Sequence, residues 1–283
     1  MPSLTTPDGR KLWYDMRGEG DLLLCHPGGP GFSGAFLGDL GGLDRSRTLV
    51  VLDPRGTGCS DPPASEDAYA LADYVADLGH VQAQLGVDRI DVLGHSHGSL
   101  VALLYAAERP DRIGQLVLVA VGARFHQQQL EAMETAMNRR SGEPWFEDAS
   151  AALAEEQAGH FRDDAELGRI VARELPFFFA QFGENEQAFV QRALEQPVHA
   201  AALRCFNAHE FMTFDLRPAL PRVSAPTLVL AGEEDFILGP AACREVADGI
   251  ADARLEVFEG VGHMPWVEAP EAFAARVTDF LDR

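Results

Sequence analysis

Lysine is almost missing from this chain: Lys11 is the single one, in a Gly9-Arg10-Lys11-Leu12 stretch. A Schiff-base lysine or a phosphate-loop lysine would have to be this residue, and its surroundings suit neither role. Positive charge is scarce overall, with 23 Lys+Arg against 44 Asp+Glu and a formal charge of −21. No basic stripe is on hand to neutralise phosphates, so neither nucleic acid nor an anionic membrane is expected as a partner. The four cysteines, Cys25, Cys59, Cys205 and Cys243, form no C-x-x-C pair. Free, mostly buried thiols are expected, and a disulfide framework is not. Long apolar runs are absent too: residues 22–25 and 116–121 are far too short to span a bilayer. The opening Met1-Pro2-Ser3-Leu4-Thr5-Thr6 lacks the basic start and apolar core of a signal peptide. The expectation is a soluble, cytoplasmic protein whose acidity serves solubility.

What is present is size and alternation. At 283 residues the chain is long enough for one large domain, or one domain carrying an insertion, and buries about three quarters of its unfolded surface. Short apolar runs at 12–16, 21–25 and 48–52 read as strands. From Ala70 the apolar positions Leu71, Tyr74, Val75, Leu78, Val81 and Leu85 follow helical spacing, and Gly86 ends the helix. A strand at 90–93, a helix at 100–107 and a strand at 115–121 follow. Such alternation predicts an α/β protein with a mostly parallel sheet flanked by helices. It breaks between 122 and 217, a helix-rich stretch holding 11 of the 17 phenylalanines, and resumes after it. The expected division is a core of residues 1–121 and 218–283 with a helical insertion at 122–217. That insertion carries 16 acidic and 9 basic residues, a third of the net charge on a third of the chain, so the acidity is not focused there.

The strongest motif is Gly94-His95-Ser96-His97-Gly98, a G-x-S-x-G between a predicted strand and a predicted helix. In that context the serine occupies a sharp, strained turn, and the two glycines keep strand and helix from colliding. A serine hydroxyl needs a base to take its proton. In this connectivity an acid follows a late strand and a histidine follows the last one, which puts Ser96, Asp235 and His263 in chain order. His263 would be the base and Asp235 the group orienting it. Glu233 and Glu234 adjoin Asp235 and compete for that role, Asp235 being preferred.

The backbone N–H of His97 is a natural oxyanion donor, and a second donor is expected from the loop His26-Pro27-Gly28-Gly29-Pro30-Gly31, whose glycines allow close approach. His95 and His97 could together ligate a metal, but no third ligand has suitable spacing, so neither metal nor cofactor is expected. The loop from Asp53 to Asp61 is expected to hold a buried, structural Asp53–Arg55 arrangement.

These segments together resemble the α/β-hydrolase fold, and within it the proline iminopeptidase-like serine hydrolases. The resemblance rests on Gly28-Gly29-Pro30-Gly31, Asp53-Pro54-Arg55-Gly56-Thr57-Gly58, Gly94-His95-Ser96-His97-Gly98, Gly232-Glu233-Glu234-Asp235 and Gly262-His263. It implies that Gly29 and His97 supply the oxyanion amides, that the insertion is a cap over the active site, and that the substrate is a small molecule or short peptide. Three features depart from the peptidase branch: Pro27 is either inserted into its H-G-G-P-G or replaces the histidine, His97 replaces its tryptophan, and Phe236 stands where some members have an amine-binding glutamate. Glu210, in Asn207-Ala208-His209-Glu210-Phe211, resembles the other amine-binding carboxylate. The expected activity is amide or ester cleavage through an acyl-enzyme. An esterase, lactonase or amidase on a small apolar acyl group is the alternative, and a cofactor-free dioxygenase, lyase or acyltransferase a further one.

Overall fold

The computed structural model describes residues 2–283. The strands are β1 (Ser3–Thr5), β2 (Lys11–Arg17), β3 (Leu22–His26), β4 (Thr48–Leu52), β5 (Ile90–His95), β6 (Ile113–Val119), β7 (Thr227–Gly232) and β8 (Ala253–Phe258). They form one sheet in the order β1-β2-β4-β3-β5-β6-β7-β8. At one edge β1 pairs with β2, and β2 with β4, antiparallel; every other pairing is parallel. The predicted strands are all there, their ends shifted by a residue or two. β1 is an addition: three residues on an edge carry too little pattern to be read in sequence.

The central strands are apolar on both sides because helices cover both faces. Side chains alternate between two cores. Leu24, Val92, Leu116, Leu118 and Val229 face one, while Leu23, Leu93, Val117, Leu228 and Leu230 face the other. The first core is closed by α1 (Leu71–Leu85) and α2 (His97–Glu108). Helix α1 buries the stripe Leu71, Tyr74, Val75, Leu78 and Val81 and stops at Gly86, whose φ of 70° suits glycine. Helix α2 starts three residues earlier than its apolar run, directly at the G-x-S-x-G turn.

Between β6 and β7 the chain passes through α3 (Gln127–Asn138), α4 (Phe146–Gln157), α5 (Asp164–Glu174), α6 (Glu184–Ala193) and α7 (Ala200–His209). The segment enters and leaves at one place, where Arg124 and Asp215 form an isolated antiparallel bridge and Leu216 N–H donates to Ala123 O at 2.7 Å. The chain then closes with α8 (Pro240–Gly249), α9 (Pro265–Glu268) and α10 (Pro270–Leu281). Among the described residues no helix is long and apolar enough to cross a membrane.

The buried arginine of the 53–61 loop corrects one expectation. Arg55 pairs with Asp77 of α1 at 2.7 Å, not with Asp53. Asp53 instead accepts from Gly34 N–H at 2.9 Å and Cys59 N–H at 3.0 Å, holding the loop shut. Cys25, Cys205 and Cys243 are free and buried, and Cys59 is free and exposed.

Candidate active site

Ser96 sits at the junction of β5 and α2 with φ 51° and ψ −118°, a conformation that costs a non-glycine residue energy and must be held by its surroundings. The holding contacts are visible. Ser96 N–H donates to Val119 O at 2.8 Å, and the buried Ser99 hydroxyl donates to Gly94 O at 2.7 Å while accepting from Val119 N–H at 3.1 Å. A Cβ on Gly94 would lie 2.3 Å from Gly98 O, and one on Gly98 would lie 2.4 Å from both His26 O and Pro27 O. Strand, helix and the 26–31 loop meet here too closely for any side chain.

The loops after β7 and β8 press together in the same way, since a Cβ on Gly232 would fall 1.9 Å from Gly262 O. That contact sets His263 against Asp235. Asp235 Oδ2 accepts from His263 Nδ1 at 2.7 Å, and its Oδ1 accepts from Ile237 and Leu238 N–H at 2.9 and 3.1 Å. Burial alone pushes the Asp235 carboxyl up. The charge and hydrogen bond of His263 and the two amides outweigh it, so the group stays below the usual carboxylate range and ionised. Glu233 is exposed and accepts from Gly260 N–H at 3.0 Å, and Glu234 is half-buried, so only Asp235 of the three meets the histidine.

The imidazoles flanking Ser96 have other work. His95 packs edge-on to His263 and Trp266 at centroid distances of 4.7 and 4.6 Å, and its Nε2 donates to His263 O at 3.1 Å. His97 points the other way, against Tyr74 and Phe206 at 5.1 Å each. Burial, then the neighbouring His26, pulls His97 down to about 3, and burial pulls His26 down to about 4, so both are neutral near pH 7. His95 is likewise held well below the usual imidazole range by burial and then His263. Among the described residues no three His, Cys, Asp or Glu side chains group to hold a metal.

Ser96, His263, Gly29 and His97 line one cavity of about 420 Å³. The N–H groups of Gly29 and His97 have no acceptor among the described residues, which leaves both free for a ligand atom. The rest of the wall is mainly apolar, with Phe32 and Phe36 from the core and Leu153, Val171, Phe178 and Phe206 from the helical segment.

The profile of the alpha/beta hydrolase fold family matches residues 21–270 of this sequence. The chain belongs to that family. A protein of Variovorax paradoxus bearing a carbamate-hydrolase name is 29% identical over 96% of both chains. A proline iminopeptidase of Heyndrickxia coagulans is 24% identical over 95% of this chain and 93% of its own. Among solved structures, the enol-lactonase from Burkholderia xenovorans LB400 superposes with a TM-score of 0.76 at 25% identity, covering all of both chains.

Two acidic residues of this alpha/beta hydrolase escape sequence reasoning. Glu156 of α4 and Glu174 of α5 line the same cavity as Ser96. Glu174 is 4% exposed and its Oε2 has no hydrogen-bond partner among the described residues. Burial, reinforced by Glu156, holds its carboxyl well above the usual range. Glu156 is also raised by burial, and Asn207 Nδ2 tempers this by donating to its Oε1 at 3.2 Å. A signal existed. Glu174 continues the buried stripe Leu167, Ile170 and Val171, and the half-buried Glu156 follows Ala149, Ala152 and Leu153 at helical spacing, so each lies on the inward face of its helix. Glu210, by contrast, is not on the cavity wall. Its carboxylate turns to the start of α1 and accepts from Leu71 N–H at 3.0 and 3.2 Å.

Proposed function

We propose that the protein is a serine hydrolase that cleaves amide or ester bonds in small substrates carrying a protonated amine, as the N-terminal residue of a short peptide does. In this reading Asp235 holds the tautomer of His263 with the proton on Nδ1, leaving Nε2 free as the base. Ser96 Oγ attacks the carbonyl carbon as His263 takes its proton. The oxyanion is met by the N–H groups of Gly29 and His97, which need no reorganisation. The C–N or C–O bond then breaks as His263 returns the proton to the leaving group, and water repeats the cycle on the acyl-enzyme. The segment at 122–217 serves as a cap that carries the substrate-selecting wall.

The observation that carries the amine is the Glu156–Glu174 pair. Two carboxylates in an apolar cavity repel one another and lose hydration, a cost that an ammonium group offsets by bringing a positive charge and donating to both. The proline iminopeptidase name of one relative agrees with such a substrate. An esterase or lactonase acting on a plain acyl group draws support from the apolar remainder of the wall and from the enol-lactonase neighbour.

Three substrates separate these readings: a prolyl or alanyl arylamide with a free amine, its N-acetylated counterpart, and a short acyl arylester. The proposal expects the free amine to be preferred at least about 100-fold in kcat/KM over the blocked form, which loses its charged contacts to both carboxyls. Equal turnover of both amides, or of the ester alone, would favour the second reading. Failure of a serine-directed phosphonate to label Ser96 would remove both.

A further inference from the structure

Glu268 belongs to neither substrate nor triad, yet it touches the loop that carries His263. Its Oε2 accepts from Gly262 N–H and its Oε1 from Ala180 N–H, both at 2.7 Å. The 178–180 strut lies between α5 and α6, and it meets the histidine loop a second time where His263 N–H donates to Phe178 O at 2.7 Å. The Phe178 ring packs edge-on to His263 at 5.4 Å and to Phe236 at 5.1 Å. A Cβ on Gly262 would sit 2.5 Å from Phe178 O, so the strut and the loop are in backbone contact.

We infer that Glu268 is a positioning residue for His263: its ionised carboxylate ties the histidine loop to the 178–180 strut and so sets where the imidazole points over the cavity. The inference rests on His263 being the base. Both tied atoms are N–H donors, so both carboxylate oxygens must accept. In a neutral carboxylic acid the hydroxyl oxygen is a much poorer acceptor than a carboxylate oxygen, so protonation weakens one of the two ties. Burial raises the Glu268 carboxyl to about 7, against the pull of the Gly262, Ala180 and Gln181 amides, with Glu186 of α6 adding to the rise. The nearby cation is Arg140, engaged with the carbonyls of Glu234 and Phe179, and the nearby carboxylates are Glu234 and the Asp235 bonded to His263. On α10, Glu271 is exposed and Arg276 is turned to Glu256 and Val257 O. The ionised, doubly tied state is thus present above neutrality and lost as the pH falls through it.

The test is the rate of covalent inactivation by a small apolar phosphonate, which avoids the amine site, measured across pH for wild type, Glu268→Gln and His263→Ala. Both groups act in wild type, so on the acid side the logarithm of the rate should fall with a slope above 1 across the range in which Glu268 gains its proton, and settle to 1 below it. Glu268→Gln should show a slope of 1 and a rate at high pH lower by about 10- to 100-fold, the effect of misplacing a reacting group by an ångström or so. A wild-type slope that nowhere exceeds 1, which needs no variant to fold, overturns the inference, as does a Glu268→Gln profile parallel to wild type. If His263→Ala retains the wild-type rate, the base assignment itself fails, and the inference with it.

Discussion

Replacing Glu174 with glutamine should weaken the enzyme and strengthen the fold at once. The side chain is 4% exposed, one of its oxygens has no hydrogen-bond partner among the described residues, and Glu156 adds to the burial that raises its carboxyl. Losing one partner of a buried charge pair costs about 2–5 kcal/mol. Glu156 remains to hold the ammonium, so the low end applies, and at 1.36 kcal/mol per decade this is about 30- to 100-fold in kcat/KM for a free-amine arylamide. An N-acetylated amide or an acyl ester should change less than about threefold, a change too small for a lost contact. The folded-state pKa of Glu174 lies above its unfolded value, so its contribution to stability is fully present below the unfolded pKa. It is lost as pH rises through the raised folded value. The variant has no such loss, so its melting temperature should gain on wild type as pH rises from about 5 to 8. Each kcal/mol is worth about 2–4 °C in a domain somewhat smaller than this one. Thermal unfolding at several pH values, with kinetics on the paired substrates, tests both halves. Equal losses on free and blocked amides, or a melting difference independent of pH, would refute the reasoning.

Asp235→Asn should lower kcat by about 10⁴-fold with little change in fold, because the amide no longer enforces the Nδ1–H tautomer; a loss under tenfold in steady-state assays would dissociate Asp235 from the chemistry. Gly98→Ala places a methyl 2.4 Å from two backbone oxygens and should cost about 1–3 kcal/mol as well as slowing phosphonate labelling of Ser96. Gly142→Ala, where nothing lies within 4 Å, is the matched control and should do neither. Asp77→Asn breaks the buried pair with Arg55, which keeps Asp73 at 3.3 Å, so the loss in chemical denaturation should fall below about 3–5 kcal/mol, the cost of a fully uncompensated buried charge.

The sheet was legible because buried parallel strands are short apolar runs set off by turns and helical stripes. The Ser96 turn was legible because its sterics demand glycine at 94 and 98, which leaves a local signature. Asp235 and His263 followed from strand order, although the Gly232–Gly262 contact that brings them together is a tertiary fact. The acidic part of the cavity wall was only half legible. Helical spacing puts Glu156 and Glu174 on the inward faces of their helices, but that both line one cavity follows only from α4 packing on α5. Glu210 misled for the converse reason: it sits in a suggestive local string, but α7 ends one residue before it and its carboxylate caps another helix. Arg55 looked paired to Asp53 by proximity, while the fold offered it Asp77 on α1, 22 residues on.

The neck at Arg124 and Asp215 makes the helical segment a graft, attached to the sheet at a single stalk. If the segment carries the substrate wall as proposed, new walls can be evolved or transplanted there while the backbone of the Ser96 turn stays held by β5, α2, β6 and the 26–31 loop. The graft is not free of obligations. Arg140 fastens it to the Glu234 carbonyl, and the 178–180 strut fastens it to Gly262 and His263. A chimera that swaps the segment whole but loses those two anchor points should keep its fold and its nucleophile while its histidine loop drifts, so anchor residues, rather than cavity residues, set which walls this scaffold can accept.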